Sequence, residues 1–156
     1  MSIQDTARVG IAALALSASA LVGMAVKEGF APVAVPPVPG DVPTYGFGAT
    51  EGVKLGDRIT PERALVRLLK DAGKYEAAVK RCAPVPMFQH EFDAYVSLTY
   101  NIGEGAFCNS TLVKKLKAYD YEAACKEILR WDRFQGKPLA GLTARRQQEY
   151  KQCLGS

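Results

Sequence analysis

The sequence predicts an α+β protein, a small sheet-bearing lobe followed by a larger helical lobe. Three observations carry that expectation. Residues 44–59 form a glycine-punctuated stretch with alternating apolar residues, the pattern of a short hairpin. From Thr60 to Cys153 the chain breaks into runs with helical apolar spacing and start signals. The composition, 48% apolar and 23% charged over 156 residues, is that of one ordinary globular domain.

The elements follow in order. Val9–Val26 carries no charge across eighteen residues, ten of them Ala, Gly or Ser. As a helix it would span roughly 27 Å, close to a bilayer's hydrocarbon core, yet its small side chains gain little from lipid. An anchor, a cleaved signal and an export segment that later leaves the membrane are all compatible with it. Ala18-Ser19-Ala20 fits a cleavage site, whereas the flank with only Asp5 and Arg8 is a weak positive region. A buried soluble helix is the least favoured reading, because no polar face interrupts the run. Residues 1–26 are accordingly expected to form an export or signal-anchor segment, and residues 27–156 the functional domain.

Residues 31–43 are proline-rich and are expected to be an extended or turning loop. In the hairpin that follows, Tyr45/Phe47 and Val53/Leu55 are the expected inward pairs. Thr60 and Pro61 open a helix as N-cap and first residue, with Ala64, Leu65, Leu68, Leu69, Ala72, Tyr75 and Val79 on its buried face. Further helices are expected over residues 88–100, 110–118, 121–130 and 143–153. Four cysteines allow three pairings. Export would permit disulfides, and Cys125–Cys153, on the last two expected helices, is the preferred pair.

Several function classes drop out. The chain has no CxxC or HExxH spacing, which makes a zinc cluster unexpected, and it has no phosphate-binding GxxxxGK[ST] loop and no GxSxG elbow. The net charge of +4, with ten Lys/Arg against five Asp/Glu from Ser110 onward, suits an anionic polymer or surface. His90, near the start of a helix, reads as a solvated or capping residue, and Trp131 as a packing residue. Arg145 and Arg146 read equally as a solvated basic face or as contacts to anionic groups.

The candidate chemistry lies in residues 27–50, where Glu28, Asp41 and Thr44 stand among glycines and prolines. Two carboxylates thirteen residues apart cannot share a helix face, so only a fold that returns the loop toward Glu28 could make them a pair. Such a pair serves glycoside hydrolysis, in which one carboxyl group protonates the leaving oxygen and the other handles water or the sugar cation.

Lys27-Glu28-Gly29-Phe30 and Gly40–Thr50 (GDVPTYGFGAT) resemble the active-site region of the phage lysozymes of glycoside hydrolase family 24. The resemblance continues through Gly52–Asp57, Ile59–Pro61, Ser97–Gly103, Phe107–Leu112 and Gly141–Arg146, in order. It implies a lysozyme-like fold with the active-site cleft between the lobes, and hydrolysis of the β-1,4 bond between N-acetylmuramic acid and N-acetylglucosamine with no metal or organic cofactor. Glu28 matches the family's acid and Thr44 its active-site threonine, with Asp41 as the partner carboxylate in an inverting mechanism. Two positions depart from the pattern. Asp41 lies three residues before Thr44 rather than five or six, and Ala49 replaces the usual His. A wall-binding protein that has lost turnover and a lytic transglycosylase are the alternatives.

The apolar start also resembles that of signal-arrest-release endolysins. This implies an exported chain, tethered to the inner membrane through residues 9–26 and then released to the periplasm as a monomer. Its partner would be peptidoglycan glycan strands, not nucleic acid.

Overall fold

In a computed structural model, which describes residues 7–156, the apolar stretch is not one continuous helix. Asp5 lies outside the described residues. Val9 pairs with Met87 through two backbone hydrogen bonds of 3.0 and 2.9 Å. Ile11–Ala13 then make a 3-10 turn, and helix α1 begins only at Ala18, running Ala18–Glu28. The break has a local cause, because carboxylates capture the intervening backbone. Leu16 N–H donates to Glu76 at 2.6 Å, and Ser17 N–H and Oγ–H donate to Asp93 at 3.0 and 2.7 Å. Leu14 is buried in the core, with Ile11 and Leu16 packed against it. Among the described residues no helix is long and apolar enough to cross a membrane.

The chain forms two compact units. One is Ala18–Lys74; the other joins the described residues up to Ser17 to Tyr75–Ser156. The first holds α1 and an antiparallel pair, β1 (Ala31–Val35) and β2 (Thr44–Gly46), with Ala31 opposite Gly46 and Val35 opposite Thr44. The expected loop over residues 31–43 is therefore corrected, since its first five residues are a strand. Proline does not prevent this, because Pro32 still offers its carbonyl, which accepts Ile59 N–H at 3.1 Å. Ala34 is tied to the same segment by bonds to Asp57 and Gly56. The expected inward Leu55 is instead 70% exposed, because residues 50–57 turn rather than alternate.

Helix α2 (Pro61–Cys82) starts where its signals place it, and Arg63 N–H bonds the Thr60 hydroxyl at 3.4 Å. Ala64, Leu68 and Ala72 are buried, whereas Leu65 and Leu69 are exposed. Residues one position on lie about 100° round the helix, and only a one-residue-per-turn stripe is covered here. Gly46 has a positive φ of 62°, and a Cβ there would stand 3.2 Å from that of Ala64, so glycine lets β2 approach the helix.

The second unit is built round α3 (Gln89–Ile102), whose Phe92, Tyr95, Val96 and Leu98 are fully buried. Short helices α4 (Glu104–Cys108), α5 (Thr111–Lys117) and α6 (Tyr121–Glu127) lead to hairpin β3 (Arg133–Phe134)/β4 (Lys137–Pro138) and to α7 (Ala140–Cys153). Disulfides join Cys125 to Cys153, as preferred above, and Cys82 to Cys108. The Tyr95 hydroxyl lies 3.2 Å from Cys153 Sγ and, having the proton, donates to it; burial pushes its pKa far above the usual tyrosine value. Arg146 is not on a solvated face. It is fully buried on α7, 2.8 Å from Glu149, which also accepts the Ser97 hydroxyl at 2.8 Å.

Replacing Cys125 and Cys153 together by Ala removes a cross-link spanning 28 residues and is expected to lower unfolding stability by about 3 kcal/mol in urea titration. Glu127 accepts Lys115 Nζ–H at 2.5 Å and Arg130 Nη1–H at 3.1 Å. The Lys115 bond above all, with help from Arg130, outweighs burial and holds this carboxyl below the ordinary glutamate range. Its stabilisation is thus present above the unfolded pKa of about 4.3 and is lost as pH falls through the folded value. Thermal melts of wild type and Glu127→Gln should differ at pH 7 and converge near pH 3.

Candidate active site

All three candidate catalytic residues fall in the Ala18–Lys74 unit. Glu28 is the last residue of α1. Gly29 ends the helix in the left-handed region (φ 70°), its N–H bonding Ala25 O at 3.0 Å, and swings the chain into β1 two residues later. Glu28 is thereby held at a junction of two regular elements rather than on a loose loop. The residue is half-buried, and its Oε1 is withdrawn from solvent. The rings of Phe30 and Phe47 meet beside this junction, tilted by 52° with centroids 5.6 Å apart.

Asp41 and Thr44 come from the turn that returns β1 to β2. Asp41 N–H bonds Val38 O at 3.1 Å, closing a turn through Gly40, whose φ is 88°. The two side chains then bracket one residue. Asp41 Oδ1 accepts Val42 N–H at 2.8 Å, and Thr44 Oγ1–H donates to Val42 O at 3.3 Å. Both side chains thus contact the main chain of Val42. Asp41 is exposed and Thr44 half-buried. Ala49, the second departure, is buried, and Tyr45 and Ala49 exchange backbone hydrogen bonds of 3.2 and 3.0 Å. The turn is thus closed by main chain, without an imidazole.

Each unit also holds a pocket. One, of about 410 Å³, is lined by Tyr45, Ile59, Val66 and the bases Arg63, Arg67 and Lys70. Tyr45 alternates with Thr44 along β2, so this pocket lies off the face that Thr44 presents. The other, of about 340 Å³, lies in the helical unit and combines Asn109, Ser110, Thr111 and Arg130 with the half-buried Trp131. An aromatic face among hydroxyl, amide and guanidinium groups is chemistry that suits a sugar. The sequence favours packing for Trp131, with sugar stacking as the lesser alternative, and the residue does pack on the core. The signal for the rest was the Phe107–Leu112 run, read as a resemblance and not as a pocket wall. No group of His, Cys, Asp and Glu among the described residues is placed to hold a metal ion.

The comparisons with known proteins agree with one another. A family model described as phage lysozyme matches residues 25–149. An endolysin of Acyrthosiphon pisum secondary endosymbiont phage 1 is 42% identical over 110 residues, covering 68% of this chain and 75% of the relative. A SAR-endolysin of Pseudomonas phage phiKMV is 33% identical over 141 residues, covering 88% and 87%. The muramidase domain of SpmX from Asticcacaulis excentricus superposes with a TM-score of 0.84 at 28% identity, covering 90% of this chain and 98% of that one. Its likeness places the helices and small sheet described above in a lysozyme-like α+β fold. On these matches the chain belongs to the phage lysozyme family and is a peptidoglycan-hydrolysing glycoside hydrolase of the endolysin kind.

Proposed function

We propose that Glu28 is the general acid of this lysozyme, and that Asp41 and Thr44 hold the attacking water. The observation that carries the assignment is the setting of Glu28, a rigid helix-to-strand junction with one carboxyl oxygen out of water. A general acid placed there would deliver its proton to the glycosidic oxygen between N-acetylmuramic acid and N-acetylglucosamine. Asp41 and Thr44, anchored on the same residue, present a carboxylate and a hydroxyl with little conformational freedom left to lose. An inverting reaction needs an activated water on the sugar face opposite the acid.

We also read residues 1–26 as an export segment that first lies in the inner membrane, and residues 27–156 as the catalytic part, released to the periplasm. The name of the phiKMV relative supports this reading. So does the unusual double character of Val9–Val26. Leu14, Ala20, Met24 and Ala25 are buried, while Val22 and Val26 remain exposed, as in a segment that must suit both lipid and a protein core. While the segment spans a bilayer, Leu14 is missing from the core and α1 cannot close against the fold. Catalysis therefore waits for release.

Glu28→Gln is expected to cut clearing of outer-membrane-permeabilised cells by at least about 100-fold with an unchanged melting temperature; equal clearing would remove Glu28 from the acid role. Asp41→Asn and Thr44→Ala should each slow hydrolysis without changing the product. Mass spectrometry of muropeptides should show reducing N-acetylmuramic acid ends, and 1,6-anhydro ends would instead identify a transglycosylase.

A further inference from the structure

Arg8 immediately precedes the apolar stretch, and its side chain occupies a site with more built structure than a surface ion pair requires. Its guanidinium makes a fork with Glu91, Nε–H to Oε2 at 3.0 Å and Nη2–H to Oε1 at 2.8 Å. The same group lies 3.6 Å from the ring centroid of Tyr121 and 4.5 Å from that of Phe88. Glu91 is only 3% exposed. A planar cation between two aromatic faces, bound bidentately to a buried carboxylate, combines the two geometries that suit arginine and not lysine.

The walls of this site do not need Arg8 to stand. Tyr121 O–H is tied to Pro86 O at 2.7 Å, Phe88 N–H to Glu91 Oε2 at 2.9 Å, and the Phe88 ring stacks on His90 at 5.2 Å. Left without its cation, Glu91 would be a buried carboxylate lacking its charge partner, which is costly. The remaining contacts of residues 9–17 continue from that anchor. Met87 pairs with Val9, Gln89 donates to Ala15 O at 2.7 Å, and Glu76 and Asp93 take Leu16 and Ser17.

From these contacts we propose that Phe88, Glu91 and Tyr121 form a guanidinium receptor whose ligand is Arg8 of the same chain, and that its occupation latches the released segment into the fold. The latching role rests on the membrane-release reading above. If Val9–Val26 spans the bilayer, Arg8 lies about 27 Å away along the helix from the end nearest Glu28, on the other side of the membrane. It can then reach Glu91 only after the segment has left. The receptor is thus empty in the tethered chain and filled in the folded one.

Glu91→Gln and Tyr121→Leu test this without altering the segment itself. In the purified soluble full-length protein, hydrogen exchange at the Val9, Leu16 and Ser17 amides should quicken at least tenfold in both variants. Amides inside α3 and α7 should keep wild-type protection. Unchanged protection at the three amides, or loss spread evenly over α3 and α7, overturns the receptor. In cells, the wild type should move from the membrane to the soluble fraction and Glu91→Gln should lag it several-fold; equal rates overturn the latch. A wild type that never sediments with membranes overturns the tethering reading, and with it the latch, while the exchange result still decides the receptor.

Discussion

The turn at Gly29 is the constraint on which the proposed chemistry depends. A helix that begins in small apolar residues must stop at Glu28, reverse through a left-handed residue and enter a strand within two positions. A side chain on Gly29 would be strained there, and a helix continued past Glu28 would carry β1 out of register with Thr44. The position of Glu28, the strand pairing and the turn holding Asp41 are therefore linked through one backbone path.

On the proposed membrane-release reading, the eighteen uncharged residues Val9–Val26 would have to suit two solvents. Large lipophilic side chains would hold the segment in a bilayer, whereas a charged face would keep it out. Alanine, glycine and serine in ten of the eighteen positions leave a stretch weakly committed to either. The carboxylates that receive its backbone, Glu76 and Asp93, reward the folded state through bonds to Leu16 and Ser17. They also interrupt the helix there, so that among the described residues the stretch does not form a single spanning helix.

Much of the helical part was legible because its signals are local. Thr60-Pro61, Ser110 and Asp120 each mark a helix start by side-chain chemistry, and the serine and aspartate accept the backbone N–H bonds expected of caps. The Cys125–Cys153 pair followed from placing two helices correctly. What failed to show was set by tertiary partners. β1 was hidden under prolines because only its neighbours at residues 56–59 reveal that its carbonyls are used. Arg146 looked like a surface residue because its partner Glu149, one turn along the same helix, reads as an ordinary surface ion pair until Ser97 of α3 meets it. Strands β3 and β4 have two residues each, too few for any alternation to register. At the candidate site, the identity of Glu28 and Thr44 came from motif resemblance. The way Asp41 is held, through Val42, needed the coordinates.

The most direct measurement of the central claim is a crystal structure of the Glu28→Gln protein with a bound peptidoglycan oligosaccharide. The account predicts the residue 28 amide within about 3 Å of a glycosidic oxygen, with the Asp41 and Thr44 side chains toward the opposite face of the same sugar. A glycan bound in register elsewhere, with residue 28 touching no bridging oxygen, would contradict it.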